Sequence, residues 1–210
     1  AGIESPYAIP QKRSQYIDSK PPLRHGSYRG LAATANNFAR ECAMNELATL
    51  ASADPLAFRL DHLDDPRLRA VLQRAAKNFG WPGSPKPGEA VGLACGTEKG
   101  SYVAACAQIA VANGAITVQR IVQTFECGAI VNPAGLTQQV QGAIVQGLGP
   151  ALWESIAFNN GVIANAAFAK YRMPRFNDLP AVEVELLDRK DLPSAGAGET
   201  PLICVAPVIA

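Results

Sequence analysis

The pair Asn113-Gly114 lies between two runs, Ser101 to Val111 and Ala115 to Phe125, both rich in β-branched and small apolar residues. Asn-Gly is the strongest short hairpin signal, because both turn positions must take positive φ for the turn to match the twist of its strands. A long antiparallel hairpin is therefore expected here, and the rest of the chain has to be arranged around a sheet. Asn160-Gly161 marks a second, shorter hairpin, and Val182 to Leu187 alternates apolar and acidic residues as a half-buried strand does.

Upstream the texture is helical. A first helix is expected from about Asn36 to Ala51, with Phe38, Cys42, Leu47 and Leu50 near one face. Asp54-Pro55 and Asp65-Pro66 each combine an N-cap residue with Pro at the first helical position. The first opens a short helix over Leu56 to Leu60. The second opens a longer one with Leu68, Val71, Leu72, Ala75 and Phe79 on a stripe, stopped by Gly80. Trp81 to Gly88, with three prolines and two glycines, reads as a long loop. Asn132-Pro133 leads into a helix over Leu136 to Glu154, with Val140, Ile144, Leu148 and Leu152 in register. Its Gly142, Gly147 and Gly149 would each cost about 1 kcal/mol relative to Ala in a helix interior, so something must approach that backbone closely.

Helices followed by strands, a helix and strands again argue for an α+β fold, with helices packed on a mixed or antiparallel sheet. The expected organisation is an extended segment and loop over residues 1–35, then one domain over 36–210 with a helical part (36–80) and an α+β part (90–210). The chain starts at Ala1 and ends at Ala210 inside an apolar, helix-like run, so both ends read as cut.

Composition narrows function by exclusion. With 19 Lys+Arg against 18 Asp+Glu, the net charge of +1 gives no electrostatic reason to expect nucleic acid or an anionic membrane as partner. No apolar stretch approaches the roughly 20 residues needed to span a bilayer. The five cysteines (Cys42, Cys95, Cys106, Cys127, Cys204) form no C-x-x-C pair and read as buried small hydrophobes. With only His25 and His62, a protein-ligated metal site is not expected.

The segment most suggestive of chemistry is Ser194-Ala195-Gly196-Ala197-Gly198-Glu199-Thr200-Pro201. Its glycines allow positive φ and close approach to a ligand, and a carboxylate follows directly. A Glu held on such a loop beside an apolar run is a candidate general base. The alternative, open on these residues alone, is a carboxylate near a helix N-terminus. A cysteine hydrolase using Cys127 or Cys204 with His25 is a weaker reading, since nothing local activates a thiolate.

Gly196-Ala197-Gly198-Glu199-Thr200-Pro201-Leu202 resembles the loop bearing the active-site glutamate of the xanthine dehydrogenase and aldehyde oxidase family. Other segments resemble the same family in the same order: Tyr28-Arg29-Gly30, its aromatic-Arg-Gly loop; Asp54-Pro55 through Arg59-Leu60; Glu126-Cys127-Gly128 through Asn132-Pro133; and Gln139-Val140-Gln141-Gly142-Ala143 through Gln146-Gly147-Leu148-Gly149. Gln141 and Gln138 stand where the family commonly has Glu and Gly.

The resemblance implies the molybdopterin-binding domain of a molybdenum hydroxylase, oxidising an aldehyde or N-heteroaromatic compound with water-derived oxygen. Glu199 would be the general base. Gln139 would hydrogen-bond the cofactor, Arg29 would contact the pterin or its phosphate beside Gly30, and Gly142 and Gly198 would permit close backbone approach. The simpler readings are a buried helix glutamine, a surface arginine and tightly packed glycines. The cofactor would be molybdopterin, with its cytosine dinucleotide as a candidate form. Its metal would be held by the pterin dithiolene. The family's Gly- and Gln-rich cofactor loop is missing here, which implies that the remainder of the molybdenum subunit completes the pocket. Iron–sulfur clusters would sit on a partner chain or domain, with cytochrome c a candidate acceptor. The texture is closest to the isoquinoline 1-oxidoreductase and nicotinate dehydrogenase branch. A non-catalytic structural fragment, inactive alone, is the alternative.

Overall fold

A computed structural model describes residues 2–20 and 26–210; His25 lies outside the described residues. The long hairpin forms as expected. Strands β1 (Glu89–Glu98), β2 (Ser101–Ala112) and β3 (Ala115–Glu126) pair antiparallel in sequence, with Asn113 at φ 51 and Gly114 at φ 73 in the β2–β3 turn. A two-residue ladder, β4 (Phe158–Asn159) with β5 (Val162–Ile163), closes over Asn160-Gly161. Strand β6 (Ala181–Leu187) returns to lie parallel to β3, so the four-stranded sheet is mixed, in the order β1-β2-β3-β6.

Both faces of the sheet are covered, which is why β2 is apolar along almost its whole length. On one face Val103, Ala105, Ala107 and Phe125 pack with Val140, Ile144 and Leu148 of helix α4 (Pro133–Leu152) and with Ile203 and Val205. On the other, Ala104, Cys106 and Val122 pack with Leu68, Val71, Leu72, Ala75 and Phe79 of helix α3 (Pro66–Phe79). Strand β6 divides its alternation between these layers. Val182, Val184 and Leu186 join the α4 side, while Glu183 pairs with Arg120 and Glu185 with Arg74.

The capping signals place the helices closely. Asp54 caps α2 (Pro55–Asp61) and Asp65 caps α3, each accepting backbone N–H bonds, and Gly80 ends α3 at φ 82. Asn132 accepts from the Gly135 amide at 2.9 Å and starts α4 one turn earlier than the apolar register suggests.

Helix α1 (Leu31–Leu50) differs from expectation in two ways. It begins right after Gly30, because Ala32 and Ala33 are strong helix formers continuous with the later register, while Leu31 itself turns the chain into the helix at φ 49. Its buried face is Ala33, Asn37, Glu41, Met44 and Ala48, while Phe38, Leu47 and Leu50 are exposed, Leu50 by 83%. The polar residues turn inward because they are satisfied there. Glu41 accepts from Arg59 Nε at 2.9 Å, from the Tyr7 hydroxyl at 2.7 Å and from the Cys95 amide at 3.0 Å. Asn37 donates to the Ile203 carbonyl at 3.1 Å.

The expected terminal helix is replaced by a 3₁₀ turn over Thr200–Leu202 and successive turns to Ile209. Pro201 and Pro207 lack the amides a continuous α-helical ladder needs, and the remaining bonds mix three- and four-residue spacings, such as Val205 to Leu202 and Val208 to Cys204.

Candidate functional site

The register of the sheet brings the ends of four strands together. The β1–β2 turn, the end of β3 at Glu126 and the end of β6 at Leu187 share one edge, and the Pro193–Pro201 loop crosses it. That loop is tied down along its length. The Ala195 amide donates to the Cys127 carbonyl at 2.6 Å, and the Ser194 hydroxyl donates to the Ala129 carbonyl. The Ser101 hydroxyl donates to the Gly196 carbonyl at 2.6 Å, and the Thr200 hydroxyl to the Glu98 carbonyl at 2.8 Å. Buried Gln123 donates to the Pro201 carbonyl at 2.9 Å.

The Glu126–Pro133 segment is fixed by charge as well. Arg67 grips Glu126 through two bonds, of 2.6 and 2.8 Å, and Glu126 accepts the Gly128 amide at 2.5 Å. Gly128 sits at φ 78 with its α-carbon against the Pro193 carbonyl, where a Cβ would collide. This is the position at which a glycine is required for the two motif loops to meet.

Arg29 joins the remaining motifs. Its Nε donates to the Gly198 carbonyl at 2.5 Å, Nη1 to Gln146 at 3.1 Å and Nη2 to the Gln139 carbonyl at 3.4 Å. Partial burial lowers the Arg29 guanidinium from its ordinary value, and the nearby Glu199 carboxylate opposes that shift. The preceding Tyr28 donates to Glu154 at 3.4 Å, as does Tyr171 at 2.9 Å.

Glu199 stands at the N-cap position of the Thr200–Leu202 turn, but its side chain makes no capping bond. It pairs instead with Lys99, at the tip of the β1–β2 hairpin, and its side chain remains 25% exposed. The end-of-helix reading of this carboxylate therefore does not describe its contact. Gln139 is exposed, not a buried helix glutamine; α4 offers its backbone carbonyl to Arg29 and leaves its side chain outward.

The glycines separate into two kinds. Gly30 is at φ 86 with Thr34 against it, Gly147 lies against Val205 and Gly149 against Glu154, so each has a reason within the chain. Gly142, Gly196 and Gly198 have none, since a Cβ built on any of them meets nothing within 4 Å. Positive φ, anticipated for the two loop glycines, is not observed at either.

Lys99, Ser101 and Gln123 are not legible in the sequence as site residues. A Lys-Gly turn between two apolar runs is the available signal for the first two, and it is weaker than Asn-Gly. The cysteine-hydrolase reading finds no support: Cys204 is fully buried, burial raises the thiols of Cys204 and Cys127, and among the described residues no three His, Cys, Asp or Glu are grouped to hold a metal.

Comparison with known proteins adds to this geometry. Residues 42–180 match the molybdopterin cofactor-binding domain model. The chain is 30% identical over 98% of its length to a component chain of the nicotinate dehydrogenase of Pseudomonas putida. It is 30% identical over 97% to the beta chain of isoquinoline 1-oxidoreductase of Brevundimonas diminuta. It spans 19% and 27% of those relatives. Its fold matches the aldehyde oxidoreductase of Desulfovibrio gigas with a TM-score of 0.74, at 14% identity, over 87% of this chain and 38% of that one.

The residues present suit such a cofactor. Arg29 has five N–H donors and uses three within the chain, leaving two for an anionic or carbonyl-bearing ligand. Gly142 and Gly198 lie on the two segments that Arg29 clamps, and each leaves open space where a Cβ would stand, so a ligand could approach that backbone closely. The chain is a member of the molybdopterin cofactor-binding domain family.

Proposed function

We propose that this chain forms one wall of the cofactor pocket of a molybdenum hydroxylase and carries its general base, Glu199. The observation that carries this reading is the holding of Glu199. Its loop is bonded at Ala195, Gly196, Gly198 and Thr200, yet its carboxylate meets one side chain and lies on the segment of open glycines. A carboxylate that does no capping and completes no buried network, on a fixed backbone, suits a group that must accept a proton at a defined place.

Molybdopterin, when bound, supplies the two-electron oxidation. The chain's own groups bind, orient and move a proton. Arg29 holds the cofactor's polar edge, with the exposed Gln139 side chain beside it on α4. Gly142 and Gly198 allow the ring system close to the backbone. Lys99 lies on Glu199 Oε2, which leaves Oε1 to take the proton from the attacking water-derived hydroxyl.

An N-heteroaromatic substrate is favoured over xanthine by the two relatives named for nicotinate and isoquinoline. The relatives' greater length supports a pocket completed by the remainder of a molybdenum subunit, and electrons would leave through iron–sulfur clusters on a partner chain or domain toward an acceptor such as cytochrome c. The cytosine dinucleotide is the proposed cofactor form.

Glu199→Gln in the assembled enzyme tests the reading. Gln is nearly isosteric, so molybdenum content should survive. Loss of a general base should slow reduction by substrate by about 10²–10⁴-fold, some 3–5 kcal/mol of barrier, and leave reoxidation unchanged. Glu154→Gln, whose amide oxygen can still accept from Tyr28 and Tyr171, should stay within a few fold of wild type. A molybdenum-replete Glu199→Gln enzyme reduced at the normal rate would rule Glu199 out and favour a structural role for the loop.

A further inference from the structure

We infer that Lys99 is the positioning residue for Glu199, and that the β1–β2 hairpin tip is the device that aims the carboxylate. The inference rests on the reading of Glu199 as base. The hairpin and the loop are about a hundred residues apart in sequence but are joined by adjacent contacts. Glu98 accepts from the Thr200 hydroxyl at 2.8 Å, Lys99 pairs with Glu199, and the Ser101 hydroxyl donates to the Gly196 carbonyl at 2.6 Å.

An isolated surface ion pair contributes little, because two long side chains must be ordered to make it. Here the backbones on both sides of the pair are already fixed by their neighbours. What remains for the ion pair is to order the Lys99 side chain and select the Glu199 rotamer. Among the described residues no other group donates a hydrogen bond to that carboxylate, and no side-chain cap competes for it.

The turn itself is unusual. Lys99 at φ 53 and Gly100 at φ 80 occupy the two-residue turn that Asn-Gly favours, and a lysine gains nothing locally from the left-handed region. The turn fixes the Lys99 backbone at the hairpin tip, and from there its side chain contacts Glu199. The second cation near that carboxylate, Arg29, is committed to the Gly198 carbonyl and to α4, so it fixes the loop and leaves the side chain to Lys99.

The test uses Lys99→Met and Lys99→Arg in the assembled, molybdenum-loaded enzyme, with nicotinate, isoquinoline and benzaldehyde as reductants. In Lys99→Met, reduction by whichever of these the wild type oxidises should slow by about 10–100-fold, with substrate affinity and molybdenum content unchanged. Lys99→Arg should restore most of the rate. Combined with Glu199→Gln, Lys99→Met should slow the enzyme no further, since both changes act through one carboxylate. Hydrogen exchange, which needs no turnover, should leave the Ala195 amide protected in Lys99→Met, because the loop backbone is held by bonds of its own. A normal rate in Lys99→Met overturns the inference and leaves Glu199 as base intact, and loss of protection at Ala195 overturns it by assigning the effect to the fold. Equal slowing of Lys99→Met in both backgrounds also overturns it, by assigning the effect to the fold. A normal rate in Glu199→Gln alone removes the reading of the base itself, and the inference falls with it.

Discussion

The Arg29 guanidinium reaches the carbonyl of Gly198 across 169 residues of chain, at 2.5 Å. This bond couples the start of α1 to the loop that carries Glu199, while the two terminal nitrogens hold α4 through Gln146 and Gln139. A lysine carries the same charge but cannot present three donors in one plane. Arg29→Lys should therefore fold, because the contacts are at the half-exposed edge, yet lose the spacing between helix and loop. Molybdenum occupancy or turnover of the assembled enzyme should fall by about 10–100-fold, measured by metal analysis and substrate-driven reduction. Unchanged occupancy and rate would show that the clamp does not matter to the pocket.

The Glu41–Arg59 pair governs stability and lies away from this loop. Both side chains are fully buried, and burial opposes the charge on Arg59 while Glu41, Tyr7 and Cys95 raise its proton affinity above the ordinary value. Arg59→Met leaves the Glu41 carboxylate buried with only the Tyr7 hydroxyl and the Cys95 amide as donors. Such a change costs about 3–5 kcal/mol, a large part of the stability of a typical domain. Denaturant unfolding should show that loss, and adding Glu41→Gln should recover much of it. A single variant within about 1 kcal/mol of wild type would contradict the burial of this pair.

The thiols give a pH-dependent check. Burial pushes Cys106 up to about 12 and also raises Cys95 and Cys204. Alkylation requires the thiolate, so the rate at each site grows as pH rises toward the raised value and is negligible well below it. At about pH 8 the native protein should label first at Cys42, the half-exposed cysteine, and the four buried cysteines should react only after unfolding. Mass mapping of iodoacetamide adducts would settle the order. Early modification of Cys204 would disagree with its burial and reopen a reactive-thiol reading.

Local chemistry is legible from sequence, and satisfaction at a distance is not. Asp54-Pro55, Asp65-Pro66, Gly80 and Asn113-Gly114 act through bonds to residues within a few positions, so their meaning is written beside them. The buried face of α1 is hidden because Asn37 and Glu41 look like surface residues until Ile203, Arg59 and Tyr7 arrive from elsewhere in the chain. The Glu199 loop stands out by its glycines and its resemblance. Its partner Lys99 does not, because the pairing depends on the β1–β2 register and on a parallel β6 that delivers the loop to that edge. The terminal helix fails for a simpler reason: apolar periodicity continues through Pro207, whose ring removes an amide donor.

Gly142 and Gly147 lie on the same helix and offer the sharpest separation of cofactor from packing. A Cβ at Gly147 would sit 2.7–3.0 Å from three side-chain atoms of Val205, inside the core between α4 and the terminal turns. Gly147→Ala should therefore overpack that contact and destabilise the fold by about 1–3 kcal/mol, whatever is bound. A Cβ at Gly142 meets nothing within 4 Å, and the residue is exposed mid-helix. On helix propensity alone, Gly142→Ala should stabilise the cofactor-free chain by up to about 1 kcal/mol. If the pterin lies against this backbone, the added methyl should lower molybdenum occupancy in the assembled enzyme even as the chain itself becomes more stable. The two variants should thus move in opposite directions in thermal unfolding of the isolated chain. In the assembled enzyme, Gly142→Ala should show the occupancy defect out of proportion to any loss of stability. Full molybdenum content in Gly142→Ala would mean that the cofactor does not approach α4 at this turn, and would leave Gly198 to carry the close-approach role.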